Sequence, residues 1–149
     1  MRYAVQSLHL LFAACWIGAY VAGDFLIRTR SKAENPAERI RAARAILVGL
    51  EMPLAAIVPL MGLVLTFLNP TVMTQGWFHT KLLAFVIVFG LLMVQAKRLR
   101  LAEESDNQDA ALAKYMLLRL AGGIMFLVII AAVVMKFGAM PSVVTTAAP

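Results

Sequence analysis

Long apolar stretches alternate with short polar ones along this chain. The four apolar stretches are nearly free of charge, and they cover residues 3–27, 45–68, 77–96 and 116–135. Since a helix needs about 20 apolar residues to cross about 30 Å of hydrocarbon, each stretch has the length of a membrane span. All four should be helices, because unpaired backbone groups cannot face lipid and barrel strands have only about ten residues. The pattern predicts an all-α protein, with a single up-down four-helix bundle in the membrane over residues 1–140.

The composition excludes most classes of soluble protein. Of the 149 residues, 62% are apolar and 15% are charged, whereas soluble domains average about 45–50% and about 25%. The 14 basic and 8 acidic residues leave a net charge of +6. Basic residues beside helix ends are explained by anionic lipid headgroups, so we predict membrane lipid as a partner and no nucleic acid.

The basic residues also predict an orientation. They occupy the first and third connections and the start of the fourth span: Arg28, Arg30, Lys32, Arg39, Arg41, Arg44, Lys97, Arg98, Arg100, Lys114 and Arg119. The second connection, residues 69–76, carries no charge. Because short basic loops stay in the cytoplasm, both termini are predicted to lie outside, with the protein in a bacterial inner membrane.

The connections and ends add three smaller predictions. In the third connection, Ser105, Asp106 or Asn107 can cap a short amphipathic helix that leads into the fourth span. Residues 141–149 are predicted to be a disordered tail. Cys15 is the only cysteine, so this chain alone forms no disulfide or zinc-thiolate cluster. The residues before Cys15 loosely resemble a lipoprotein cleavage box, but the apolar stretch continues well past it and no cleavage is expected.

Polar side chains inside the spans are candidates for function, because each costs several kcal/mol in lipid unless it is paired. They are His9, Asp24, Glu51, His79 and Lys81. Asp24 is expected to pair with Arg28 or Arg44. Glu51 precedes Pro53, whose ring can kink the helix, and a carboxylate beside a kink suggests a proton carrier. An ion pair with Arg28 or Arg119 is the alternative for Glu51.

His9 and His79 are the only histidines in the chain. The first and third helices of an up-down bundle run parallel, and the two positions differ in depth by roughly 6 Å. Two imidazoles on separate bundle helices can hold the iron of haem b, so both residues are predicted metal ligands, acting together or singly. The alternative is an interfacial histidine that only hydrogen-bonds water or headgroups.

Helical spacing predicts the surroundings of such a haem. Trp16 and Tyr20 share a stripe with His9 on the first helix, and Gly90 shares one with His79 on the third. Gly90 would admit a flat ring, while Trp16 and Tyr20 would line the cofactor or serve as ordinary packing residues. Lys81 has three possible roles: snorkelling outward, stacking on Trp77, or meeting an anionic group such as a porphyrin propionate.

The chain resembles the HemJ-type protoporphyrinogen oxidases. The matching residues are Leu8, His9, Trp16, Arg28, Pro53, Gly62, the run Gly76-Trp77-Phe78-His79-Thr80-Lys81 and the run Val133-Val134-Met135-Lys136-Phe137. The most specific part is the Gly-Trp-x-His-x-Lys run. The resemblance implies a four-helix inner-membrane protein that binds haem b and oxidises protoporphyrinogen IX to protoporphyrin IX. It further implies that His9 and Lys81 matter for activity.

The leading hypothesis is a haem b membrane oxidoreductase that takes electrons and protons from a reduced tetrapyrrole and passes electrons to a quinone. Lys81 would orient anionic substrate groups, and Glu51 would carry protons. The second hypothesis is a non-catalytic haem-binding or accessory subunit, in a homo-oligomer or a larger membrane complex. The segment 9–18 is also similar to CopD-type copper-resistance domains, so copper transport is a third hypothesis. The nine methionines, however, do not have the clustered spacing of copper ligands.

Overall fold

The computed structural model describes residues 2–105 and 107–138, and every regular element in these ranges is helical. The helices are α1 (Arg2–Arg28), α2 (Pro36–Ile46), α3 (Met52–Phe67), α4 (Gly76–Glu104) and α5 (Gln108–Gly138). A π-helical segment, Leu47–Glu51, joins α2 to α3, and short 3-10 turns cover Arg30–Lys32 and Pro70–Thr74. The predicted all-α four-helix fold is confirmed. The predicted tail, residues 141–149, lies outside the described residues.

Four helices are long and apolar enough to cross a membrane: α1, the continuous helix Pro36–Phe67, α4, and α5 as far as Val134. Large apolar side chains cover their outer surfaces, with Leu83 64% and Leu127 66% exposed. An apolar surface of this extent suits contact with lipid rather than with water. This is the architecture of a multi-pass membrane protein.

The second helix begins earlier than its apolar stretch. α2 starts at Pro36, and the Asn35 side chain caps it by accepting a hydrogen bond from the Glu38 backbone N–H at 3.4 Å. The added turns are amphipathic, because Ile40 is fully buried while the neighbouring arginine at position 41 is exposed. A count of apolar residues places the start at residue 45 since it does not register one buried face on an otherwise charged helix.

The third and fourth spans also extend beyond their predicted limits. α4 continues to Glu104, and α5 begins at Gln108, where the Asn107 side chain accepts a hydrogen bond from the Ala110 backbone N–H at 3.2 Å. Asn107, one of the three predicted candidates, therefore caps α5, whereas Asp106 lies outside the described residues. The end of the bundle that carries the connections 29–35 and 105–107 is called the basic end below.

The helices associate as two hairpins. α1 packs on α2 and α3, and α4 packs on α5 along its length. At the basic end, Arg44 pairs with Glu103 at 2.7 Å and Arg30 pairs with Asp109 at 2.5 Å, so both ion pairs join one hairpin to the other. Because these side chains are partly exposed, or largely exposed in the case of Asp109, each pair contributes about 1 kcal/mol or less.

The π-helical segment ends at Glu51, two residues before Pro53. A proline inside an α-helix clashes with the carbonyl four residues earlier, here that of Gly49, and provides no N–H for it. In the structure the Met52 N–H bonds the Leu47 carbonyl, which is the wider spacing of a π-turn. The irregularity predicted at Pro53 is therefore a local widening of the helix, and Glu51 lies in this widened turn.

Candidate functional site

A buried ion pair occupies the interior of the bundle. Arg119 of α5 and Glu51 of the π-helical segment are 1% and 0% exposed. The two guanidinium nitrogens Nη1 and Nη2 donate to the two Glu51 carboxylate oxygens, each at 2.8 Å. This bidentate geometry is the strongest form of carboxylate–guanidinium contact. We refer to Glu51 and Arg119 together as the central ion pair.

Neighbouring helices supply the remaining partners of the Arg119 guanidinium. Nη1 also donates to the Gln95 amide oxygen of α4 at 3.2 Å, and Nη2 donates to the Tyr20 backbone carbonyl of α1. The Tyr20 ring lies against the guanidinium, with 3.7 Å from its centroid to Cζ, and the Tyr20 hydroxyl donates to the Arg119 backbone carbonyl. One side chain thus ties α5 to the three other spans.

Sequence reasoning identified only part of this arrangement. It named Glu51 as a proton carrier and gave pairing with Arg119 as the alternative, and the structure has that ion pair. It listed Arg119 with the basic residues that set orientation, and the structure buries this side chain at the centre of the bundle. Gln95 was missed altogether. An arginine and an amide within otherwise apolar helices were the available signals, because each is expensive in lipid without a partner.

Gly23 of α1 provides a test of how tightly the central ion pair is held. A Cβ at this position would lie 3.1 Å from both Arg119 Nη2 and Glu51 Oε1. Since the bidentate pair cannot move apart without losing its bonds, Gly23→Ala should lower the detergent-unfolding midpoint. Gly18→Ala is the matched control on the same helix, because nothing lies within 4 Å of its Cβ. Equal midpoints for the two variants would show that Glu51 and Arg119 can shift to accept the added methyl group without loss of stability.

Asp24 pairs as expected, while Arg44 does not take part. The Arg28 Nε donates to Asp24 Oδ2 at 2.6 Å, one helical turn along α1. Arg44, the other predicted partner, pairs with Glu103 instead. The predicted structural role of Asp24 therefore has a specific partner, and its second oxygen, Oδ1, is considered below.

His9 is buried between α1 and α3. It is 8% exposed, and its Nδ1 lies 3.0 Å from the Val58 carbonyl oxygen. A carbonyl only accepts hydrogen bonds, so Nδ1 carries the proton and Nε2 keeps its lone pair. This is the tautomer in which a histidine binds a metal through Nε2 while its other nitrogen is fixed by a second partner.

Two further residues lie beside His9, and of these only Lys81 belongs to the predicted site. The Gly62 Cα faces the imidazole, since a Cβ there would be 3.5 Å from His9 Cε1. Lys81 is partly buried and close enough for its charge to act on His9. The structure therefore brings together His9 of α1, Gly62 of α3 and Lys81 of α4, which we call the His9 cluster.

The structure does not place His79 and Gly90 in the bundle interior. Both are exposed, and the stripe they share with Val86 and Met93 faces outward. The buried face of α4 includes Ala84, Val88, Leu92 and Gln95. At 100° per residue the centres of the two faces lie about 180° apart, so the predicted meeting of two histidines across the core does not occur. His79 Nδ1 instead lies 3.2 Å from the Gln75 backbone carbonyl.

Trp16 and Tyr20 both lie within the bundle, and both pack on aromatic rings. Trp16 is 3% exposed, with its ring centroid 4.7 Å from that of Phe126 and 5.7 Å from that of Phe85. Tyr20 also meets Phe126, at 5.0 Å. These rings fill the space between α1, α4 and α5. The packing role, which was one of the two roles predicted for Trp16 and Tyr20, is therefore present in the structure.

No group of three or more His, Cys, Asp or Glu side chains is arranged to hold a metal ion within residues 2–105 and 107–138. A haem iron needs only one or two protein ligands, so His9 is still a candidate axial ligand. Comparisons with protein-family models, with curated proteins and with solved structures find no match to this chain.

Proposed function

We propose that this chain is a haem b membrane oxidoreductase in which His9 is the protein ligand to the iron. The observation that carries the proposal is the His9 cluster. His9, Gly62 and Lys81 belong to the residues of the HemJ resemblance, yet they are far apart in sequence and lie on three different helices. A Cβ on Gly62 would lie 3.5 Å from His9 Cε1, and the charge of Lys81 acts on His9, which supports the proposal of one site.

The residues of the cluster fit one axial ligand and one anion-binding group. The Val58 carbonyl fixes the His9 ring and leaves Nε2 to bind iron. Gly62 leaves room beside the ring, since its Cα carries no side chain. Lys81 supplies a positive charge for a propionate or another carboxylate. Haem bound there would provide single-electron chemistry. His79 is not part of this site.

The substrate and setting follow from the resemblance and from the charge pattern. A reduced tetrapyrrole such as protoporphyrinogen IX would present carboxylates to Lys81, and a quinone would receive the electrons. The basic end would face the cytoplasm of a bacterial cell, with both termini on the outer side of the inner membrane. The central ion pair would hold the bundle together, so we assign Glu51 a structural role in place of a proton carrier.

The test is the visible spectrum of protein purified from haem-supplied cells. We expect a b-type reduced-minus-oxidised signal from the wild-type protein and from His79→Ala, and loss of that signal from His9→Ala. Loss of the ligand removes the iron–nitrogen bond, whereas His79 lies on the outward face.

Three results would contradict the proposal. The first is a folded wild-type protein with no haem signal. The second is a His9→Ala protein that keeps the signal unchanged. The third is loss of the signal in His79→Ala.

If haem binds as proposed, complementation of a strain without protoporphyrinogen oxidase separates an enzyme from a non-catalytic haem-binding subunit. Growth identifies an enzyme, and no growth at normal expression identifies a haem-binding subunit of a larger complex.

A further inference from the structure

Three buried polar atoms, one in the central ion pair and two in residues on its side toward the basic end, have no protein partner among the described residues. They are Asp24 Oδ1, Tyr115 Oη and Arg119 Nε. Tyr115 and Arg119 are 0% and 1% exposed, and Asp24 Oδ1 is buried although the rest of its side chain reaches the surface. Leaving such a group without a hydrogen bond costs about 1–3 kcal/mol, so each atom calls for a partner.

The three atoms belong to one neighbourhood. Tyr115 precedes Arg119 by one turn of α5, and its ring centroid lies 5.9 Å from the guanidinium carbon. Asp24 follows Gly23, the residue whose Cβ would lie 3.1 Å from Arg119 Nη2. Asp24 and Tyr115 are also close enough to interact electrostatically.

The chemistry of the three atoms selects the ligand. Tyr115 Oη–H and Arg119 Nε–H are donors, whereas the Asp24 carboxylate oxygen only accepts. An anion would be repelled by Asp24, and a cation would be repelled by Arg119. Water donates and accepts at the same time, and buried waters typically make about three hydrogen bonds to such groups.

We propose that Asp24, Tyr115 and Arg119 bind water inside the bundle, and that this water connects the central ion pair to the aqueous phase at the basic end. The other oxygen of Asp24 holds Arg28, whose side chain is 59% exposed. Asp24 thus spans the boundary between bulk water and the buried site. The inference is independent of haem, because none of these residues belongs to the His9 cluster.

Proton-detected solid-state NMR of the protein in lipid bilayers tests this site. We expect the Arg119 Nε–H to show magnetisation transfer to water and to exchange in D₂O. Tyr115→Phe and Asp24→Leu each remove one polar group of the site, so the transfer should be lost or reduced several-fold. Tyr3→Phe, at a residue that is 83% exposed, is the control for a tyrosine hydroxyl.

A second control separates the water site from the surface ion pair. Arg28→Gln removes the partner of Asp24 Oδ2 but keeps Oδ1, so the water contact should persist. A wild-type protein with no transfer from Arg119 Nε–H to water would overturn the proposal, and this measurement needs no variant to fold. Unchanged transfer in both Tyr115→Phe and Asp24→Leu would also overturn it.

Discussion

Replacing Arg119 by Met should destabilise the bundle more than any other single substitution considered for this chain. The side chain keeps a similar length, but the Glu51 carboxylate then stays in the bundle interior without its partner. Breaking a buried ion pair from one side typically costs about 3–5 kcal/mol. Gln95 and the Tyr20 carbonyl also lose a donor. The measurement is the unfolding midpoint in mixed micelles of increasing SDS content, followed by tryptophan fluorescence.

The double variant Glu51→Leu with Arg119→Met tests the cause. It removes both charges, and replacing a whole buried pair by apolar residues is often nearly neutral. We therefore expect the double variant to be clearly more stable than Arg119→Met alone, which gives a large coupling energy in the cycle. Arg100→Met is the control, because the contact of Arg100 with Glu104 is exposed. Additive losses in the cycle would mean that the pair contributes no mutual stabilisation.

The helices could be predicted from the sequence because their signal is local. A run of twenty apolar residues can form few structures other than a membrane-spanning helix. α1 agrees with its predicted span to within one residue at each end. The extensions of α2 and α4 beyond their apolar stretches needed a different signal. These extensions are charged helical turns with one buried face, on which Ile40 and Leu99 are fully buried. A count of apolar residues does not detect such a face.

The rotation of each helix about its own axis decides which partners its polar residues meet, and a single sequence determines this rotation poorly. His9 and His79 are both polar residues in spans, yet one faces α3 and the other faces outward. The difference is a rotation of α4 by about half a turn, and lipid accepts either face of an apolar helix. Arg119 was likewise listed with the basic residues that set orientation, because it lies near the start of the fourth span in sequence.

Trp16→Ala is the second large effect that we expect. The Trp16 ring packs against Phe85 of α4 and Phe126 of α5, so its removal leaves a cavity between the two hairpins. Truncating a buried aromatic side chain costs about 3–5 kcal/mol in soluble proteins. Association of membrane helices depends mainly on packing, because lipid tails are as apolar as the core. We therefore expect a loss at the lower end of that range, measured as the temperature at which detergent-solubilised protein leaves the monodisperse peak in gel filtration.

Trp16→Phe should behave very differently, and this contrast decides what the residue does. Trp16 Nε1 is buried and has no hydrogen-bond partner among the described residues, so phenylalanine removes an unpaired donor that costs about 1–3 kcal/mol. That gain offsets the smaller ring, and we expect a change of less than about 1.5 kcal/mol. Phe25→Ala, at a residue that is 60% exposed, should leave the transition temperature nearly unchanged. If Trp16→Phe were as damaging as Trp16→Ala, the indole N–H would have a partner, and the role of Trp16 would extend beyond packing.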